Sequence, residues 1–398
     1  MPRGTRPCSA DGVPSSSHSP VRNGGIVAMR SGEAALSQLF VTRNWYVAAT
    51  SSELRSEPLG RMICGRRMAL FRDAGGRPHA VSATCPHRGA DLARGRVVGS
   101  SLECPFHGLC FDGAGACTRI PSQDPGAPIP RALRVPSFAV AESHGLVWIW
   151  PEPDDQPPHA PEVPEFLGLP APWRLSMLPG GRLCSGSYLN SLENALDDAH
   201  LAFVHKRTVP GASERVAPFR IEIAPDRRGY WGIADMADII AQDPAVADVS
   251  AGGGLLEDLL GRFAMEQLTP VQKSYRYHLS GNVCITTTDA SGPRDHTFAF
   301  FTPSDAEQTL LFGGVLRNHS LNPVADWLFA RYMPALTSED AKILGELVPE
   351  ARGPGGLARP FVIRADRQSF PFRRIYGDAL AAEGKPVPWA LDGAGAAA

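Results

Sequence analysis

The sequence predicts an α+β fold in two domains, an antiparallel β domain followed by one in which helices pack on an antiparallel sheet. Three observations predict it. The chain has 398 residues, too many for one ordinary core when single domains run to about 100–200 residues. Short apolar runs cut by Gly, Asp and Pro fill Trp45–Trp150, as in Met68–Arg72 before Asp73-Ala-Gly-Gly76 and Leu146–Trp150 before Pro151, which is strand-and-turn patterning. Beyond a proline-rich stretch, strand-like and helix-like segments are interleaved.

Taken in order, residues 1–40 read as a disordered extension, because the first 28 are Pro-, Ser-, Gly- and Arg-containing without the apolar run of a secretion signal. Residues 41–152 form the β domain. Residues 153–175 are the linker, since the prolines of Pro151–Pro172 deny helix or central strand. Residues 176–388 make the second domain. Within it Ala217–Ala224, Ser274–Thr288, His296–Phe301 and Thr309–Leu316 have strand character, and Ser191–Lys206, Pro323–Leu336 and Glu339–Leu347 have helix character. Residues 389–398 are a Gly/Ala-rich flexible tail.

Charge narrows the partners. With 39 basic and 41 acidic residues and a net charge of −2, there is no electrostatic basis for nucleic acid or anionic membrane. The apolar stretches fall short of the ~20 residues of a bilayer span, so a soluble, cytoplasmic protein whose partner is a small molecule or another protein is expected. Eight cysteines are scattered over a long chain, which argues for free thiols rather than disulfides. Cys110 and Cys117 are read in this way, as buried free thiols.

Cys85 and Cys104 differ, because each is followed closely by a histidine. Cys85-Pro-His87-Arg-Gly and Cys104-Pro-Phe-His107-Gly offer one Cys and one His per loop. One iron of a [2Fe–2S] pair can take both thiolates and the other both imidazoles. A Cys2His2 zinc site accepts the same ligands, but common zinc modules pair Cys with Cys and His with His across short loops. The motif resembles that of Rieske proteins. Respiratory members of that group carry an additional cysteine in each loop, where this chain has Ala90 and Phe106, so the resemblance is to the oxygenase and ferredoxin branch.

The second constellation is Glu193-Asn194-Ala-Leu-Asp197-Asp198-Ala-His200-Leu-Ala-Phe203-Val-His205. Asn194, Asp197 and His200 step by three along one stripe of a helix. His200 and His205 are about 140° apart around a regular helix at about 100° per residue, so a π-type turn or break is expected between them. Two histidines and a carboxylate can hold an iron with open positions. The candidates for the carboxylate are Asp326, Asp340 and Asp366, which ligand chemistry alone does not rank. Ser338-Glu339-Asp340 also reads as a capped helix N-terminus with acids facing the dipole.

This string resembles the Asn-x-x-Asp-x-x-His-x4-His motif of Rieske non-haem iron oxygenases of the vanillate demethylase and toluenesulfonate monooxygenase type, over roughly residues 40–385. The resemblance implies a terminal oxygenase with a Rieske cluster on Cys85, His87, Cys104 and His107 and a mononuclear Fe(II) on His200, His205 and Asp340. It implies O2 as co-substrate and hydroxylation or O-demethylation of a small, aromatic substrate. It further implies that Asp197 bridges a Rieske histidine, His87 or His107, to His200 across the interface of a homotrimer. Asn194 would support the bend by hydrogen bonding, while Asp198 reads as an ordinary surface acid and Asp366 as structural. No flavin or nicotinamide fingerprint is present, so an NAD(P)H-dependent reductase, with or without a ferredoxin, is the implied partner. Candidate pocket residues are Met236, Phe263, Met265, His278, Phe300 and Phe312, each also readable as core, and His278 and His296 also read as ordinary hydrogen-bonded histidines. The competing functions are an oxygenase tailoring a secondary metabolite or a tetrapyrrole, and an electron carrier without oxygenase activity.

Overall fold

The computed structural model describes residues 31–209, 212, 214–216, 219–235, 237, 271–353 and 363–389. In the first half, ten strands form two antiparallel sheets. The six-stranded sheet has the order β1-β10-β9-β4-β3-β2, from β1 (Tyr46–Thr50), β2 (Leu59–Ile63), β3 (Arg66–Arg72), β4 (Pro78–Ser82), β9 (Ser137–Ser143) and β10 (Leu146–Trp150). A small sheet, β5 (Arg96–Val98), β6 (Ser101–Glu103), β7 (Cys110–Asp112) and β8 (Cys117–Arg119), is inserted between β4 and β9. The turn from β2 to β3 is made by Cys64 and Gly65, both at positive φ (49° and 74°), the geometry of a tight hairpin turn. A Cβ on Gly65 would lie 2.5 Å from Leu36 Cβ, because the helix Ser31–Ser37 passes over this turn. The expected disordered stretch 1–40 therefore includes an ordered helix at its end, and Phe40 is buried.

The second half is built on one antiparallel sheet of order β11-β18-β17-β16-β15-β14-β13, with β12 also pairing on β18. Its strands are β11 (Arg174–Met177), β12 (Arg182–Ser185), β13 (Arg220–Ile223), β14 (Gly229–Asp235), β15 (Gln272–His278), β16 (Asn282–Asp289), β17 (Gly292–Pro303) and β18 (Gln308–Arg317). The expected strand Ser274–Thr288 is a hairpin. Gly281, at φ 75°, turns the chain where any Cβ would strike Phe301 O at 2.0 Å, and β15 and β16 then pair with each other. The linker runs irregularly as far as β11, with a short 3-10 turn at Glu165–Gly168.

Helices depart from expectation in two places, and both shape the site. Ser191–Lys206 is two helices, Tyr188–Ala195 and the single turn Leu201–Val204. Pro323–Leu336 and Glu339–Leu347 are one helix, Pro323–Gly345, which continues through Pro334. Its start is capped by Asn322, whose Oδ1 accepts from Ala325 N at 2.9 Å. Past the proline, Thr337 and Ser338 hydroxyls bond back to carbonyls of Met333 and Pro334, and Leu328, Met333, Thr337 and Leu344 stay buried. Burial of that face outweighs the missing proline N–H.

The halves share their cores. Tyr46 and Ala48 of β1 pack in one apolar cluster with Tyr188, Leu192, Phe372 and Tyr376, the last two from the helix Ser369–Ala382. Trp45 and Val47 face another with Trp148, Trp150, Phe298, Phe300 and Phe312. Alternation along one strand thus seals both faces.

Candidate metal centres

The two Cys-His loops have the same construction. Cys85 N bonds Ala90 O and Gly89 N bonds Cys85 O (2.9 Å each); Cys104 N bonds Leu109 O at 2.8 Å and Gly108 N bonds Cys104 O at 3.0 Å. The glycine four residues after each cysteine has positive φ, 70° and 69°, a conformation that costs other residues strain. Both cysteines are buried at 2% exposure, while His87 and His107 are exposed with ring centroids 4.6 Å apart. Burial pushes the Cys85 thiol up to about 11; the His87 amide opposes the rise and neighbouring Cys104 adds to it. Two thiols inside and two imidazoles outside make two pairs. Among the described residues, His200, His205 and Asp340 form the one set of three or more His, Cys, Asp or Glu donor atoms lying within 4.8 Å of one another. The Cys-His loops do not converge that tightly, as a single tetrahedral zinc requires. Their paired layout suits a two-iron cluster. Cys110 Sγ bonds Gly108 O and Cys117 Sγ bonds Arg119 O, and both are free thiols, Cys110 buried as expected but Cys117 only half-buried.

The second centre forms where the helix Tyr188–Ala195 stops. Asp197 accepts the Ala199 and His200 amides at 2.9 and 3.2 Å, diverting the backbone before His200. The break thus falls upstream of both histidines, not between them. Between them lies one ordinary helical turn, which His200 precedes and His205 follows, leaving helical geometry at φ −103° and ψ 28°. Their rings come within 5.1 Å.

Asp340 meets them from the long helix. Its Oδ1 is 2.9 Å from His205 Nε2, 3.5 Å from His200 Nε2 and 2.8 Å from Asn194 Nδ2. Burial alone would raise the Asp340 carboxyl, but the two imidazoles hold it well below the usual range. Burial likewise opposes charge on His200, yet Asp197 and Asp340 lift it to about 9. Ser338, Glu339 and Asp340 are mid-helix, not an N-terminus, so the dipole account of these acids fails. Asp326 instead pairs with Arg317 and Arg174, and Asp366 accepts from Ile363 N at 2.7 Å to cap the turn Arg364–Gln368. Asn194 does not brace a bend through its side chain; it donates to Asp340.

Sequence reasoning missed three residues. Glu339 Oε2 is 2.9 Å from His205 Nδ1 and accepts from Thr208 Oγ1 at 2.6 Å. Asp198 is no ordinary surface acid: it is half-buried, with Tyr275 and Lys273 nearby, and burial raises its carboxyl. Of the three, only Glu339 directly adjoins a ligand position, and that adjacency to Asp340 was the one available signal. Among the candidate pocket residues, Met236, Phe263 and Met265 lie outside the described residues, and Phe300 and Phe312 are core. His296 stacks between Phe166 and Trp173. His278 pairs with Glu162 of the linker at 2.8 Å, beside a crevice of 420 Å3 that Trp231 and Arg276 also line. These side chains alternate to the sheet face opposite Tyr277, which packs on Phe372.

A paired Cys-His loop domain joined to a two-histidine, one-carboxylate cluster defines the class of Rieske non-haem iron oxygenases. Residues 44–139 match the Rieske [2Fe-2S] domain and residues 184–382, half of the chain, match the vanillate O-demethylase oxygenase C-terminal domain. The chain belongs to that oxygenase family. It is 39% identical over 168 residues to the oxygenase component of dicamba O-demethylase from Stenotrophomonas maltophilia, a match spanning 42% of this chain and 48% of the relative. It is 27% identical over 367 residues to the oxygenase component of chloroacetanilide N-alkylformylase from Rhizorhabdus wittichii, covering 87% and 98% of the two chains. The crystal structure of dicamba monooxygenase bound to 3,6-dichlorosalicylic acid superposes with a TM-score of 0.71 at 25% identity, over 87% of this chain and 99% of that one.

Proposed function

We propose that the chain is the terminal oxygenase of a multicomponent system that hydroxylates or O-demethylates a small aromatic substrate, drawing electrons from an NAD(P)H-dependent reductase, with or without a ferredoxin. The observation that carries this reading is the convergence of His200, His205 and Asp340 in a chain that also holds the paired Cys-His loops. When bound, the cluster on Cys85, His87, Cys104 and His107 supplies stored electrons and an iron on His200, His205 and Asp340 supplies O2 activation.

The protein's own part is positional. Asn194 donates to Asp340 and fixes its carboxylate plane; Asp197 holds the backbone of His200 and lies 3.6 Å from its Nδ1. In the homotrimer we propose, Asp197 connects His200 to a Rieske histidine of a neighbouring subunit. Domain limits of 41–152 and 176–388 around a linker at 153–175 belong to the same reading. Among the described residues no helix is long and apolar enough to cross a membrane.

The test is iron and acid-labile sulfide per chain on anaerobically purified protein, with the reduced EPR spectrum, before and after Asp340→Ala. About three irons and two sulfides are expected, falling to about two irons with the cluster signal kept. Two irons in both proteins would reduce the chain to an electron carrier. Zinc without sulfide would remove the Rieske assignment. Methoxylated benzoates with a surrogate reductase, scored for formaldehyde, then test the demethylation.

A further inference from the structure

We propose that Glu339 is a positioning residue that, with Thr208, clamps His205 so that only Nε2 is presented to the metal, making His205 rather than His200 the fixed histidine of the centre. This rests on the reading of His200, His205 and Asp340 as an iron site.

The two histidines are held very differently. His205 is 1% exposed and both of its ring nitrogens are engaged: Nδ1 by Glu339 Oε2 and Nε2 by Asp340 Oδ1, each at 2.9 Å. Consecutive residues of one helix therefore reach opposite edges of a single imidazole. They do so because the long helix runs unbroken past Pro334 and sets the two side chains about 100° apart. The Thr208 hydroxyl donates to the same Glu339 oxygen at 2.6 Å and so fixes the carboxylate. A carboxylate accepts only, so Glu339, which is no ligand, keeps the ring N–H on Nδ1, while Nε2, which faces the ligand carboxylate of Asp340, is the nitrogen a metal shared with Asp340 would take. Such carboxylate–histidine pairs orient the ring and raise its basicity.

His200 has no counterpart. Its Nδ1 is 3.6 Å from Asp197 Oδ2, beyond hydrogen-bond range, and has no hydrogen-bond partner among the described residues. Its ring angle is left to the metal and to whatever Asp197 meets.

The experiment is anaerobic equilibrium dialysis of the full, cluster-bearing chain against Fe(II), comparing wild type with Glu339→Ala, Glu339→Gln and Thr208→Val. Glu339→Ala should weaken Fe(II) binding about 10- to 100-fold. Glu339→Gln, whose carbonyl still accepts from Nδ1, should stay within about threefold, and Thr208→Val should lose several-fold, with the reduced cluster EPR signal unchanged in each. Wild-type affinity in Glu339→Ala, or equal loss in the Gln and Ala variants, overturns the proposal. Should Glu339→Ala fail to fold, Thr208→Val decides, since unchanged affinity there overturns it and weakened affinity supports it. A wild-type protein that takes up no iron beyond its cluster overturns the site reading itself, a different result from unequal variants.

Discussion

Asp197 uses one carboxylate for two tasks that substitution can separate. Its oxygens hold the Ala199 and His200 amides, and the same group faces His200 Nδ1. Oδ1 takes the Ala199 amide and Oδ2 the His200 amide, so Asn, with a single carbonyl oxygen, can keep one of them and Ala neither. Asp197→Asn is therefore expected to keep most of the wild-type stability in urea unfolding while losing most steady-state turnover. Asp197→Ala should lose turnover and about 1 kcal/mol of stability as well. Equal turnover in Asp197→Asn and wild type would leave Asp197 a structural cap alone. Cys85 and Cys104 show what a residue-scale pattern can carry: their loops close through bonds spanning at most five positions, so spacing alone reports their shape.

At the scale of elements, the long helix does most to assemble the iron position. Its N-terminal end is pinned by Asp326, which pairs with the fully buried Arg317, while the Phe329 ring lies 4.5 Å from the guanidinium carbon. Removing one partner strands a buried charge, so Asp326→Asn is expected to cost about 3–5 kcal/mol in chemical unfolding. A loss below about 1 kcal/mol would show that Arg317 is satisfied without it. The helix Ser369–Ala382 is tied to the helix Tyr188–Ala195 by Arg373, which bonds both Glu193 oxygens at 2.5 and 3.0 Å. Residues 323–347 read as two helices, Pro323–Leu336 and Glu339–Leu347, and Pro334 and Ser338 are ordinary stop and start signals. Neither signal prevails against a buried face and hydroxyls that bond back to the turn before.

For the whole molecule, the linker is a docked strap. Glu162 reaches His278 at 2.8 Å and Arg228 at 3.2 Å, and Arg228 continues to Asn44 Oδ1 at 2.9 Å, so linker, sheet and first domain are tied at one point. Burial alone would raise the Glu162 carboxyl, but His278 and then Arg228 lower it from an ordinary 4.5 to about 2. A carboxyl depressed on folding stabilises the fold above its unfolded value and loses that contribution as pH falls through the folded one. Stability should therefore drop between about pH 4.5 and 2, and Glu162→Gln should flatten that part of the profile in unfolding midpoints measured against pH. An unchanged acid limb would mean that other carboxylates set it.

What the sequence by itself determined is local: the paired Cys-His loops, the Asn-Asp-His-His string, the proline-rich connection and the alternating strands. Their geometry depends on neighbours a few residues away, so residue type and spacing suffice to read them. What only the tertiary structure decided is which distant groups meet. His205 and Asp340 are 135 positions apart, and Asp326, Asp340 and Asp366 are equivalent as chemistry until packing sends one to the histidines, one to Arg317 and one to a helix cap. The same holds for Glu339 and Asp198, whose roles arise from side chains on other elements. Where the backbone breaks beside His200 was also decided in three dimensions, because Asp197 captures amides that a continuing helix would have bonded to carbonyls.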